Sequence, residues 1–208
     1  MVSVSLFTEN PWKQKKLNIK MKKYFIILYF AVAISKFKPK IQFFETNPDQ
    51  YMKLSMLAVG KTRVGFVAEG LSFYGARIQK YFPWEMLETT DVKHIPDVKA
   101  MVRTETGKTM KMIAPGDYVI LLDEKGKQHT SLAFSLDLRK VIDSGSARRI
   151  LFVIAGAYGA GDELKQRANE IWALSKLTFP HQLVRLILAE QIYRAMTIMR
   201  NEPYHHEG

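Results

Sequence analysis

Three groups of residues in this 208-residue chain are of types and spacings that could do chemistry. The first is a glycine-rich loop. Gly156, Gly159 and Gly161 follow the apolar run Ile150 to Ile154 and precede Asp162, a helix-capping residue. At such a strand-to-helix junction, backbone N–H groups meet an anion or a cofactor. The spacing is not G-x-G-x-x-G, and the Lys-Ser/Thr of a phosphate-binding P-loop is missing, which argues against an NTPase. A plain tight turn accounts for the same glycines. The second group lies on a helix that Pro180 can open and that extends to about Arg200. Leu183, Val184, Leu186, Ile187, Leu188 and Ala189 make it apolar almost all the way round. The expected covers are a sheet and a second subunit. Yet the helix carries Arg185, Glu190, Arg194 and Arg200, and buried charges pair or do chemistry. Glu190 and Arg194 are four apart and can pair on one face. The third group is the tail Asn201 to His206, with the phenol of Tyr204 and the imidazoles of His205 and His206. Adjacent histidines are no metal site by themselves, and a frayed surface end is the default for a terminus.

These groups need a framework, and the chain from Met52 onward supplies one. Leu54 to Val59 is a short apolar run closed by Gly60, hence a buried strand. Val64, Val67, Leu71, Tyr74 and Ile78 recur at helical spacing, which predicts a helix over 64–81. Trp84 to Glu88 reads as a second strand. Residues 92–114 are ambiguous, with Asp97 as the cap of a short helix ended by Gly107. Tyr118 to Leu122 is a third strand, followed by a turn over Asp123 to Lys127. Ser131 caps a helix through Ile142. Ile150 to Ile154 is the fourth strand, Asp162 caps a helix through Ser175, and Lys176 to Phe179 is a short last strand. Strands alternating with helices imply an α/β fold, a small mostly parallel sheet with helices on both faces.

Composition removes whole classes of function. Without cysteine there is no disulfide framework, thiol nucleophile or thiolate metal site. No apolar run is long enough for a membrane span. The formal net charge of +11 favours an anionic partner. That charge is concentrated at the start, where residues 1–51 hold nine lysines and three acids. Lys13 to Lys23 and Lys36 to Lys40 flank an apolar run, Tyr24 to Ile34. This resembles a signal peptide in layout but lacks a small-residue cleavage site. A start codon assigned upstream of Met52 explains the break best, with a surface-anchoring helix or an export signal as alternatives. The domains expected are thus 1–51, an extension, and 52–208, the functional unit.

Specific stretches then point to a family. Leu174 to Ala195, Arg200-Asn-Glu-Pro-Tyr-His, the opening Met52-Lys-Leu-Ser-Met-Leu-Ala-Val-Gly-Lys and Leu122-Asp-Glu-Lys-Gly-Lys resemble the ribosomal RNA large-subunit methyltransferase H (RlmH) family of the SPOUT class. The resemblance covers residues 52–208. It implies a C-terminal trefoil knot, a rare exception to the rule against knotted chains. It also implies a cytoplasmic homodimer that uses S-adenosyl-L-methionine to methylate N3 of a pseudouridine in large-subunit rRNA, on assembled ribosomes and without metal. Three loops would hold the cofactor: Leu122, then Ala155 and Gly156, then Leu174, Ser175, Lys176, Leu177, Thr178 and Phe179. Where the family usually has Gly-Gly, this chain has Ala155-Gly156.

Within that resemblance the chemistry needs a base for the imino proton or a setting that stabilises the anion. His181, Glu190, Tyr204 and His205 are candidates for the base. Arg185 and Arg194 are candidates for stabilising negative charge or holding phosphate. Tyr204 is also a candidate for stacking on a base. Two other classes of function fit the same composition. One is a non-catalytic α/β module that docks on ribosomes, and the other is a protein tethered to a membrane by residues 1–51.

Overall fold

The computed structural model describes residues 52–93 and 95–205; the expectations for residues 1–51 and for His206 lie outside them. The elements are β1 (Lys53–Ala58), α1 (Gly65–Ile78), β2 (Trp84–Glu88), α2 (Val98–Met110), β3 (Asp117–Gln128), α3 (Ser131–Ser144), β4 (Arg149–Ile154), α4 (Asp162–Arg167), β5 (Glu170–Ala173) and α5 (His181–Met199). The five strands form one sheet in the order β2-β1-β4-β3-β5, and every pairing is parallel. Among the described residues no helix is long and apolar enough to cross a membrane.

Alternation along the central strands builds two cores. Leu54, Met56 and Ala58 of β1, Ile120 of β3, and Ile150, Phe152 and Ile154 of β4 face one side. There they meet Ile78 of α1, Leu138 of α3, and Leu188 and Ile192 of α5. Leu57, Val119, Leu121, Leu151 and Val153 face the other side, against Leu164 of α4 and Met110 at the end of α2. Both faces being covered, β1 and β4 carry near-continuous apolar runs rather than alternating polar ones.

Four local expectations change. The helix capped by Asp97, whose side chain accepts from Lys99 N at 3.0 Å, runs through Gly107 to Met110. Gly107 does not end it, because the buried Thr106 and Thr109 on either side of it hold the helix against the domain. The cap of α3 is Thr130 rather than Ser131, its hydroxyl accepting from Ala133 N at 3.1 Å. The turn after Leu122 is a bulge within β3: Leu122 and Lys127 both pair with Trp172, and the residues between them are extra. Gly126 is required there, since a Cβ would lie 2.7 Å from the Ile171 carbonyl group.

The largest change concerns α4 and the last strand. The helix starting at Asp162 ends at Arg167, and β5 occupies Glu170–Ala173 rather than Lys176 to Phe179. Asn169 is the cause. Its N–H donates to Val119 O at 2.8 Å, and its side-chain Oδ1 accepts from Val119 N at 2.8 Å. The chain is thereby pulled onto the edge of β3 as soon as the short helix ends, with Trp172 and Ala173 buried behind it.

Asn169→Ala should leave the Val119 N–H without its acceptor and lower the free energy of unfolding by about 1–3 kcal/mol. Urea unfolding followed by circular dichroism measures this; an unchanged midpoint would show that the side chain does not anchor β5.

Candidate active site

The carboxyl ends of β3, β4 and β5 open into one cavity of about 410 Å³. Open parallel sheets bind ligands at this end of their strands. Three segments form its wall: Leu122 to Lys125 in the bulge of β3, Ile154 to Ala160 after β4, and the loop after β5, which continues to His181 and Val184 of α5. Of the loop residues expected from the sequence, Leu122, Ala155, Gly156, Leu174, Ser175, Leu177, Thr178 and Phe179 line the cavity. Lys176 does not; it is exposed beside it. Asp123, Glu124, Lys125, Tyr158, Lys165 and Trp172 also line it, although the sequence does not mark them as cofactor-binding residues.

The glycine loop has a precise shape. Gly159 N–H donates to Gly156 O at 3.0 Å and closes a tight turn with Ala157 and Tyr158 at its tip. Gly159 takes φ of +82°, the left-handed region that suits glycine. Behind the loop lies α2. Thr106 Oγ1 accepts from Gly161 N at 3.1 Å, and a Cβ on Gly156 would lie 2.2 Å from Glu105 Oε2. Gly156 is thus small because Glu105 stands next to it. Glu105 Oε2 is itself buried with no hydrogen-bond partner, and burial raises the carboxyl pKa against the opposing effect of Lys108. Nothing in the sequence around Glu105 marks it, because its role depends on α2 continuing past Gly107.

The six candidates for proton transfer and charge stabilisation separate along α5. His181, at its first turn, lines the cavity. Burial holds its imidazole below the ordinary histidine range, and the positive charge of Arg185 adds to this. The ring is therefore neutral at physiological pH and able to accept a proton. Arg185 is fully buried. Its guanidinium donates to Val59 O at 2.7 Å and Thr62 Oγ1 at 2.8 Å, and it reaches Glu88 Oε1 at 3.4 Å. It is not among the cavity-lining residues, so it acts as a structural tie, not as a group facing substrate.

The other four gather at the far end of the helix. Arg194 donates to Glu190 Oε1 through Nε at 3.0 Å and a terminal nitrogen at 2.5 Å. Tyr204 OH donates to the same oxygen at 3.2 Å, and His205 Nδ1 lies 3.4 Å from Arg194. Burial pushes the Tyr204 hydroxyl up, as do hydrogen bonding to Tyr74 and the Glu190 charge. The phenol therefore stays protonated and is a donor in this cluster. Its ring packs on Tyr193 with centroids 4.7 Å apart and lies under the Arg194 guanidinium. It is occupied within its own chain rather than free to stack on a base. A rise of about 1.5 Å per residue puts Arg194 ~20 Å along the axis from His181. No residue of α5 is exposed even in the single chain; the sheet, α1 and α3 cover it.

Comparison with known proteins identifies the family through its profile and its curated relatives. A family profile described as "Predicted SPOUT methyltransferase" matches residues 52–205. The chain is 44% identical over 158 residues to the ribosomal RNA large subunit methyltransferase H of Parabacteroides distasonis, covering 75% of this chain and all of that protein. Proteins of the same name from Geobacter sulfurreducens and Trichlorobacter lovleyi are 43% and 41% identical over 155 residues, covering 74% of this chain and all of theirs. The solved SpoU methyltransferase AviRb from Streptomyces viridochromogenes aligns over 73% of this chain and 60% of its own, with 11% identity and a TM-score of 0.38.

Gly156→Val should force the loop away from Glu105 and weaken binding of S-adenosylmethionine, the expected cofactor, at least about tenfold. The double substitution Gly156→Val with Glu105→Ala should recover part of that loss, as coupled neighbours do. Calorimetric titration of both variants checks this; identical affinities in the two would show that Glu105 does not set the loop.

Proposed function

The chain belongs to the SPOUT methyltransferase family, in its ribosomal RNA large-subunit methyltransferase H branch, and on that footing we propose that it methylates N3 of a pseudouridine in large-subunit rRNA, using S-adenosyl-L-methionine. The observation that carries this reading is the convergence of three loops on one cavity with a neutral histidine in its wall. The cavity fits the cofactor. Its volume lies in the range of small-molecule sites. Leu122, Leu174 and Phe179 offer apolar surface to a heterocycle, and Asp123 and Glu124 offer carboxylates to cationic groups.

When bound, the cofactor supplies a methyl group activated on a sulfonium. The protein's share is to hold the target nitrogen in line with that methyl and to take the imino proton. His181 is the candidate base placed at the cavity within one chain. The loop before it, Leu174 to Pro180, fixes its position by leading directly into α5. Glu190 and Arg194 neutralise one another, so neither is a free base or a free cation in this arrangement.

The working unit is a homodimer in the cytoplasm, acting on assembled ribosomes. Phe66 and Phe73 on α1 and Leu132 and Leu136 on α3 are large, exposed apolar side chains, which supports a second copy as their cover. The ~20 Å between the tail cluster and His181 supports a composite site, with the tail of one subunit serving the partner's cavity. The passage of the chain from β5 at one sheet edge to α5 over the ends of β1 and β2 supports a trefoil knot.

Mass spectrometry of large-subunit rRNA tests the proposal. A strain lacking the gene should lose one methyl group from a pseudouridine, and the cloned gene should restore it; rRNA unchanged by deletion would contradict it. The rate should depend on neutral His181. In wild type, kcat/KM should hold as pH falls to about 6.5, the ordinary imidazole value, and decline only below it. His181→Gln should remove that limb and cost about 100-fold or more. A decline already beginning above pH 7, or an unaltered profile in the variant, would exclude His181 as the base. Deleting residues 203–208 should leave folding and cofactor binding nearly intact while lowering methylation of ribosomes at least about 100-fold. Normal turnover by the truncated chain would exclude the tail from the reaction.

A further inference from the structure

Tyr158 stands at the tip of the tight turn after β4, between Gly156 and Gly159. Its side chain lines the cavity, yet it is 58% exposed. Among the described residues it makes no hydrogen bond, ion pair or ring contact. Leu177, from the loop after β5, lines the same cavity and is 69% exposed. Two large apolar side chains on different loops thus flank one opening and remain in water. Of the other aromatic rings in this part of the chain, Phe179 is half-buried in the cavity wall. Trp172 is buried against Phe134 and His129, and Tyr204 is taken up by Tyr193 and Arg194.

We propose that Tyr158, faced by Leu177, is the platform on which the target pyrimidine base stacks when it is turned out of the RNA. The inference rests on the functional reading above and names the group that holds the substrate. A base reaching the cavity must leave its own stack, and its flat uncharged ring regains contact on another flat ring. Tyr158 suits this because its backbone is already fixed by the Gly159 hydrogen bond, so little freedom is lost on binding. Lys125 lines the same mouth without an ion-pair partner among the described residues, and Lys176 is exposed next to Leu177. Cations beside an apolar pair match a nucleotide, which brings phosphate with its base. The sequence offers Tyr204 as a candidate for stacking on a base; the structure leaves Tyr158 free at the cavity instead.

The test uses the full chain and ribosomes from a strain lacking the gene. It reads kcat/KM for methylation, the Kd of S-adenosylmethionine by calorimetry, and the oligomeric mass in solution. Tyr158→Ala should lower kcat/KM by about 5- to 140-fold, the range for losing one base–aromatic stack. Cofactor Kd should stay within about twofold and the mass should not change. Tyr158→Phe should retain most of the wild-type kcat/KM, since the ring and not the hydroxyl is used. Unchanged kcat/KM in Tyr158→Ala, or a Phe variant as poor as the Ala variant, would overturn the inference. So would a parallel loss of cofactor affinity, which would place the ring on the cofactor, or a change of mass, which would place it between subunits. Absence of methylation by the wild-type chain would overturn the functional reading and this inference with it, a result distinct from failure of Tyr158 alone.

Discussion

The placement of the site depends on one buried cation. Arg185 is fully enclosed, and its acceptors come from the connection after β1 and from the end of β2: Val59 O, Thr62 Oγ1 and Glu88 Oε1. Thr62 is fixed in turn, its N–H and hydroxyl donating to Glu88 Oε1 at 2.8 and 2.5 Å. The first turns of α5 are therefore tied to the carboxyl ends of β1 and β2. Glu88 is part-exposed, but Arg185 is not, so removing Glu88 would leave an enclosed guanidinium unable to return to water and cost up to about 3–5 kcal/mol. The consequence is geometric. β5 lies at the opposite side of the sheet, three strand spacings or ~14 Å from β1. The seven residues Leu174 to Pro180 must cover that span, and fully extended they reach only ~23 Å. A connection this short crosses over the ends of β3 and β4, and its residues form a wall of the cavity.

The same helix then separates two kinds of chemistry. At its start, burial and the Arg185 charge keep His181 neutral beside the cavity. At its end, Glu190 is satisfied by Arg194, Gln191 and Tyr204, and Glu202 receives the Tyr81 hydroxyl. That end is a closed hydrogen-bonded unit in which each charge has a partner. A subunit arrangement that brought the two ends of neighbouring copies together would unite the candidate base, the cofactor loops and the tail in one site, and a dimer of that kind would matter to the function and not only to stability.

Much of this was legible from residue order. The apolar runs of β1 and β4 announced strands covered on both faces, and Pro180 before a long apolar helix marked the start of α5. The glycines after Ile154 announced a loop at the ligand-binding end of the sheet. Less legible were features set by contacts distant in sequence. Asn169 reads as an ordinary helix residue until its side chain is seen to take the Val119 N–H from 50 residues away. Glu105 gives no sign of its contact with Gly156, 51 positions later. Arg185 was recognised as a charge that must be used, but not which way, since its acceptors lie more than 90 residues back. Tyr158 could have been noted: an aromatic in a glycine-rich turn has no neighbour able to bury it.

The central claim is that the cavity at the ends of β3, β4 and β5 receives S-adenosylmethionine. Amide chemical-shift mapping of the isotope-labelled protein during titration with the cofactor tests this residue by residue. Shifts should concentrate on Leu122 to Lys125, Ala155 to Gly159 and Leu174 to His181, with the amides of β2 essentially unmoved. A response centred elsewhere, or none at saturating cofactor, would contradict the assignment of the cavity.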